Sequence, residues 1–148
     1  MIYIVCVGNL KEKYLIDASK EYLKRIQRFN KIEIIECKES TLTPTSVALK
    51  AEASDINKHL KGFVIKLAIN GKQFSSEELA SKIENITLNG NSDITFVIGS
   101  SCGIDENVKS NLDLSFSKMT FPHQLARIML LEQIYRAYSI LNHTPYHK

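Results

Sequence analysis

Hydrophobic residues follow two periodicities along the chain, one typical of buried strands and the other of helices. Short runs of β-branched and other apolar residues predict strands at Ile2–Val7, Ile32–Cys37, Phe63–Ile69, Ile94–Ile98 and, with weaker patterning, Leu112–Ser117. Between these runs, apolar residues three and four positions apart predict helices at Tyr14–Phe29, Val47–Leu60, Ser75–Leu88 and Pro122–Leu141. Because strands alternate with helices, we predict an α/β fold, a parallel sheet flanked by helices on both faces.

Local signals mark the ends of several elements. Asn70-Gly71 is a turn signal that we expect to close the third strand. Ser75 and Glu78 have the spacing of a capping box, so a helix is expected to begin there. Pro122 fits the first turn of the last helix. The 148 residues contain no internal repeat and no evident linker, so we predict a single domain over residues 1–148.

The last predicted helix carries hydrophobic residues around most of its circumference: Leu125, Ile128, Met129, Leu130, Leu131, Ile134, Tyr135, Tyr138, Ile140 and Leu141. Such a helix is buried, so we expect one face to pack on the sheet and the other on a second subunit. Glu132 and Arg136 stand four residues apart and are expected to pair. Arg127 projects to nearly the opposite side, and it requires an acidic group, a backbone carbonyl or a phosphate.

Composition says little about partners. The net charge of +3 and the pI near 8.7 permit a nucleic-acid partner but do not argue for one.

Cys6, Cys37 and Cys102 are widely spaced, and no two cysteines or histidines stand at ligand spacing, so we expect no metal site. The chain shows neither a signal peptide nor a membrane span, and we therefore expect a cytoplasmic protein.

Three strand ends carry unusual residues, at Leu67–Gly71, Val97–Gly103 and Leu114–His123. Ligands of open parallel sheets bind outside the carboxyl ends of the strands, so these segments are candidates for a binding site. The glycines of the second segment would let backbone approach an anion closely, although an ordinary turn would also use them. The segment matches neither a P-loop nor a dinucleotide fingerprint.

The third segment places Phe116, Met119 and Phe121 where a short polar turn is expected. An apolar connection must bury itself against the core, a partner chain or a ligand such as an adenine ring, and composition leaves these alternatives open.

The tail after the last helix holds Tyr146, His147 and Lys148. It is either frayed and inert, or it contacts RNA or assists proton transfer.

These residues resemble the 23S ribosomal RNA pseudouridine N3-methyltransferases of the SPOUT superfamily over essentially the whole length. The resemblance begins with V-G-N-L-K-E-K-Y at residues 7–14 and ends with P-Y-H-K at residues 145–148. Its most specific stretch is L-S-F-S-K-M-T-F-P-H-Q-L-A-R-I-M-L-L-E-Q-I-Y-R-A at residues 114–137. It implies a SPOUT fold with a C-terminal trefoil knot, a homodimer, S-adenosyl-L-methionine as cofactor, and methylation of pseudouridine 1915 in the assembled 70S ribosome.

The resemblance also assigns residues. Cofactor contacts would fall on Leu67, Gly99, Gly103, Phe116, Ser117, Lys118, Met119, Thr120 and Phe121. His123, Arg136 and His147 would serve catalysis, and Arg127, Tyr146 and Lys148 would contact RNA. The family usually has a second glycine where this chain has Ser100, and a positive φ there would strain a serine by about 1 kcal/mol.

The chemistry implied is transfer of a methyl group to an imide nitrogen that must first lose its proton. His123 or His147 would accept that proton directly or through water, and arginines would stabilise the anion. Two alternatives remain. One is a dimeric RNA-binding or assembly protein without transfer activity. The other is a SPOUT enzyme acting on transfer RNA, although 148 residues leave no room for an added RNA-binding domain.

Overall fold

A computed structural model describes all 148 residues as five strands and four helices. In chain order they are β1 (Ile2–Val7), α1 (Lys13–Ile26), β2 (Ile32–Cys37), α2 (Thr45–Asn57), β3 (Phe63–Gln73), α3 (Ser76–Leu88), β4 (Ile94–Ile98), β5 (Leu112–Ser115) and α4 (His123–Leu141). The strands form one sheet in the order β2-β1-β4-β3-β5, and every neighbouring pair is parallel. The predicted α/β class is confirmed.

Helices cover both faces of this sheet. On one face α1, α3 and α4 pack over Ile4, Phe96 and Ile98 to form the larger core. On the other face α2 packs over Val5, Val7 and Val97. β1 and β4 are the central strands, and helices cover both of their faces. Every residue of these two strands is therefore buried, as is usual in parallel sheets.

The third strand is longer than predicted, because Asn70-Gly71 does not end it. The chain bulges after Leu67, and Lys72 then pairs with Leu114, the residue that also faces Leu67. A Cβ atom on Gly71 would lie 2.7 Å from the backbone of Asp113, so this glycine permits close approach to β5. A strong turn signal therefore marks a bulge here.

Other boundaries shift by a few residues. The first two helices end before their predicted ends, and β5 stops at Ser115. The helix cap is confirmed, since the Ser75 hydroxyl accepts a hydrogen bond from the Glu78 amide at 3.1 Å. Pro122 stands immediately before α4, whose last residue is Leu141 as expected.

The apolar circumference of α4 is covered largely by its own chain. Leu130, Leu131 and Ile134 are fully enclosed between α1, α3 and the sheet. The expectation that a second subunit buries this helix is therefore corrected for these residues. Leu125 is 41% exposed and remains available to a partner. The homodimer and the trefoil knot stay predictions.

None of the four helices is both long and apolar enough to span a membrane.

Candidate functional site

The three unusual strand ends lie at one edge of the sheet, after the adjacent strands β4, β3 and β5. Leu67 in β3 pairs with Leu114 in β5, two residues before Phe116. Gly99 directly follows β4, the neighbour of β3 on its other side. The topology thus brings the three predicted cofactor segments to the same edge.

The loop after β4 is a tight turn, which we call the glycine loop (residues 99–103). A Cβ atom on Gly99 would lie 2.3 Å from the Gly103 carbonyl oxygen, so only glycine fits without moving the loop. Gly103 has φ +97° and donates its amide to the Ser100 carbonyl at 2.9 Å. No atom lies within 4 Å of the position that a Cβ would take on Gly103, so its surface is open.

Ser100 does not meet the condition for strain, which was a positive φ at this position. The only residue other than glycine with a positive φ is His143. Ser100 is buried, and its hydroxyl donates to Glu52 Oε1 at 3.1 Å. The serine at this position therefore adopts an ordinary backbone conformation and makes a specific contact.

The connection between β5 and α4 is only partly buried. Phe116 and Phe121 are half-buried, whereas Met119 is 73% exposed, so the core of this chain does not bury Met119, and a ligand or a partner chain stays the predicted occupant there. The Ser117 hydroxyl accepts a hydrogen bond from the Met119 amide at 3.1 Å, which closes a local turn. This turn holds Met119 outward, between the exposed Lys118 and Thr120.

An open cleft of about 540 Å³ lies between the end of β5, the start of α3 and α4. Phe74, Phe116, Ile128 and Met129 contribute apolar walls, and Glu132 contributes a carboxylate. The size suits a small-molecule ligand. Of the predicted cofactor residues, Phe116 lines this cleft, while the glycine loop and Leu67 lie outside its wall.

Arg127 is an internal anchor. Its side chain is 3% exposed, its Nη1 lies 2.7 Å from Glu36 Oε2, and its Nη2 donates to the Gly8 carbonyl at 2.9 Å. The acidic group and carbonyl that a buried arginine requires are both present. Because the guanidinium is enclosed and occupied, we correct the expected contact of Arg127 with RNA phosphate.

His123 is the first residue of α4 and directly follows the β5–α4 connection. It is half-buried, and its Nε2 lies 4.0 Å from the point where a Cβ on Gly8 would be. The side chain thus lies between the candidate cofactor loop and the residue that follows β1.

The tail after α4 folds back on its own helix and is not frayed. The Tyr146 hydroxyl donates to Glu132 Oε1 at 3.0 Å, and its ring packs edge-on against Tyr135 with centroids 4.6 Å apart. Arg136 pairs with Glu132 as expected, and its Nη2 lies 2.6 Å from Glu132 Oε1. Burial, ahead of the hydrogen bond to Glu132, raises the pKa of Tyr146 to about 12. Lys148 is exposed.

His147 is held at both ring nitrogens. Its Nδ1 lies 3.1 Å from Arg136 Nη1, and its Nε2 lies 2.8 Å from Glu77 Oε1. Arginine can only donate, so Nδ1 accepts and Nε2 carries the hydrogen that is donated to Glu77. This hydrogen bond lowers the pKa of Glu77. In the docked tail neither nitrogen is free to act as a base.

The catalytic residues that the resemblance assigns do not meet within one chain. His123 and Arg136 are thirteen residues apart on one helix, α4. At about 1.5 Å per residue, they are separated by roughly 20 Å along the helix axis. A single chain therefore presents His123 and the docked tail as two separate sites.

The structure also groups residues that sequence spacing does not connect. Cys37, Asp55 and His59 place possible ligand atoms within 4.8 Å of one another, where α2 packs beside the end of β2. Burial, ahead of Asp55, raises the pKa of the Cys37 thiol to about 12, so the thiol stays protonated beside the carboxylate. Sequence spacing could not indicate this grouping, because the three residues are distant in sequence, and the absence of a metal site stays a prediction.

Glu52 is a second residue that sequence analysis missed. Its side chain is buried in α2, and it bridges Ser100 and the amide of Ser40. The sequence predicts a helix at Val47–Leu60, but its periodicity gives no reason to single out one carboxylate in it. Only the packing of α2 beneath the glycine loop identifies this position.

Comparison with known proteins agrees with this architecture. Residues 1–147 match the family model described as "Predicted SPOUT methyltransferase". The chain is 52% identical to the ribosomal RNA large subunit methyltransferase H of Bifidobacterium animalis subsp. lactis and 50% identical to that of Clostridium botulinum, with 99% of each chain covered in both cases.

Two solved structures share the fold at low identity. A probable methylase family protein from Haemophilus influenzae aligns with a TM-score of 0.54 and 15% identity over 96% of this chain. A Legionella pneumophila methyltransferase, solved in complex with the bound cofactor SAM, aligns with a TM-score of 0.50 and 10% identity over 92%. This chain covers 66% of each of those structures. On the full-length family match, the protein belongs to the SPOUT methyltransferase family.

Proposed function

We propose that this chain transfers a methyl group from S-adenosyl-L-methionine to N3 of pseudouridine 1915 in 23S ribosomal RNA, within the assembled 70S ribosome. The observation that carries the proposal is the identity of 50–52% over 99% of the chain with relatives named ribosomal RNA large subunit methyltransferase H. A ribosomal substrate would place the enzyme in the cytoplasm. The nucleotide and the atom rest on the resemblance of residues 114–137.

The residues at the sheet edge fit this cofactor in kind. When bound, S-adenosyl-L-methionine supplies an electrophilic methyl group on a sulfonium. Leu67, Phe116 and the exposed Met119 would provide apolar walls for its adenine ring. The open surface of Gly103 and the backbone of residues 117–121 would provide hydrogen-bonding groups.

His123 is the better candidate for the base that accepts the N3 proton. It follows the candidate cofactor loop directly, at the amino end of α4. His147 would first have to leave Arg136 and Glu77. Its role, with Tyr146 and Lys148, would be to contact RNA or to place Arg136 near the developing imide anion.

A homodimer would reconcile the two separate sites. If the partner subunit places its tail and its Arg136 beside His123 of the first chain, the two chains together form one complete active site. The separation of His123 and Arg136 along α4 within one chain is then no obstacle. The exposed Leu125 lies in the first turn of α4 with His123 and would suit such an interface.

The direct test uses ribosomes from a bacterial strain that lacks this activity. Incubation with the protein and labelled S-adenosyl-L-methionine should add one methyl group per ribosome, which mass spectrometry should map to N3 of pseudouridine 1915. His123→Ala should lower kcat by about 10²-fold or more while cofactor affinity holds. Methylation of another nucleotide would overturn the assignment, and failure to bind the cofactor would favour a non-catalytic assembly protein.

A further inference from the structure

The buried carboxylate of Glu52 lies beneath the glycine loop and is unexplained by the proposed reaction. Glu52 is 4% exposed, on the inward side of α2 with Ala53 and Ile56. A carboxylate is costly to bury unless its oxygens accept hydrogen bonds. A helix whose only role was to pack on the sheet would carry an apolar residue at this position. We therefore attribute the carboxylate to the two groups that it binds.

Both oxygens of Glu52 hold a loop at the carboxyl edge of the sheet. Oε1 accepts from the Ser100 hydroxyl at 3.1 Å, and Oε2 accepts from the Ser40 amide at 2.9 Å. Neither partner is a cation. One side chain thus ties the loop after β4 to the segment after β2, although these segments are 60 residues apart in sequence.

Ser100 passes this restraint to the rest of the glycine loop. Its hydroxyl also accepts from the Cys102 amide at 3.4 Å, and its carbonyl accepts from the Gly103 amide at 2.9 Å. The opposite side of the loop rests on Gly99, where no Cβ fits. The turn is therefore held between Glu52 and the end of β4.

We propose that Glu52 is a positioning residue for cofactor binding: through the Ser100 hydroxyl, its carboxylate fixes the conformation in which the glycine loop receives S-adenosyl-L-methionine. The inference rests on the proposed function. It also gives Ser100 a role, because in this chain the hydroxyl supplies a link that a glycine could not make. A loop held in its binding conformation beforehand loses less entropy when the ligand arrives.

A double-mutant cycle on cofactor affinity tests this pathway. Ser100→Ala and Glu52→Met should each weaken binding of S-adenosyl-L-methionine about tenfold in calorimetry, or about 1.4 kcal/mol. The double variant should be no weaker than the weaker single variant, because the two residues act through one hydrogen bond. At saturating cofactor kcat should hold, so that only KM for the cofactor rises.

A matched control separates positioning from general damage. Ile83→Val removes one buried methylene from the core on the other face of the sheet, so it should lower the melting temperature without changing cofactor affinity. If the wild type binds the cofactor and Ser100→Ala binds it equally well, the positioning role is wrong. The same holds if the two single effects add. If the wild type binds no cofactor, the proposed function itself fails.

Discussion

The Arg127 guanidinium lies 2.7 Å from the Glu36 carboxylate and 2.9 Å from the Gly8 carbonyl, so one side chain joins α4 to the ends of β1 and β2. It does so from the amino-terminal part of α4, close to His123. A side chain in this position sets where the helix begins relative to the sheet edge. Arg127 is thereby a structural residue within the candidate site.

Replacement of Arg127 should destabilise the fold more than it weakens RNA binding. Arg127→Met should cost about 3 kcal/mol, because the Gly8 carbonyl loses its donor and Glu36 loses its partner. Chemical denaturation measures this cost. Glu36→Gln is the control, and it should cost less because the glutamine oxygen can still accept from Arg127, which also keeps its hydrogen bond to the Gly8 carbonyl. A stable Arg127→Met variant with weakened ribosome binding would restore the phosphate role.

Gly103 and Gly90 form a natural matched pair for the cofactor loop. Both have φ +97°, and neither has an atom within 4 Å of its missing Cβ. Alanine at either position should therefore cost a similar amount of stability, about 1 kcal/mol. Only Gly103→Ala should weaken S-adenosyl-L-methionine binding, as measured by calorimetry. Equal affinity in the two variants would remove Gly103 from the cofactor site.

Tyr146 should make the fold sensitive to alkaline pH. Its pKa is raised to about 12, so the neutral phenol is favoured in the folded state. This contribution is fully present below the pKa of an unfolded tyrosine, about 10, and is lost as the pH rises through about 12. Wild-type stability should fall over this window more steeply than that of Tyr146→Phe. Parallel curves would show that the phenol is not held as described.

Removal of the Tyr146 ring tests the docking of the tail. Tyr146→Ala should destabilise the protein by about 2 kcal/mol, since it deletes an aromatic pair with Tyr135 and a hydrogen bond to Glu132. Thermal melts provide the measurement, with exposed Lys148→Ala as the neutral control. An unchanged melting temperature would indicate a tail that is free in solution.

Two leucines of α4 should distinguish folding from dimer formation. Leu131 is fully enclosed, so Leu131→Glu should prevent folding, whereas Leu125 is 41% exposed and Leu125→Glu should yield a folded monomer. Sedimentation at micromolar concentration, with circular dichroism for folding, separates these outcomes. A wild-type chain that sediments as a monomer would remove the dimer from the proposal.

Much of the fold follows from the sequence because the central strands are short and buried on both faces. Ile94–Ile98 was predicted to the residue, since a short run of β-branched and aromatic residues between turns has few alternatives. Phe63–Gln73 was not, because a bulge depends on the neighbouring strand. Strand ends identified the sheet edge correctly, for the general reason that parallel strands finish together.

The candidate site was harder to foresee wherever partners are remote. Arg127 needed an acidic group or a carbonyl, yet only the folded chain identifies Glu36, 91 residues away. The tail was expected to lack a core role, but Tyr146 finds Tyr135 because α4 ends beside it. Such contacts depend on how elements pack, and local patterns carry no information about them.

The order of the strands has a consequence for synthesis of the protein. β1 is made first, and its neighbour β2 follows soon after, but its other neighbour is β4, whose residues begin at Ile94. Until then one edge of an entirely apolar strand stays open on the nascent chain. Such an edge can associate wrongly with other chains. We therefore expect the pairing of β1 with β4 to form slowly, and only once Ile94–Ile98 has been made by a ribosome, the same kind of particle that the enzyme is proposed to modify.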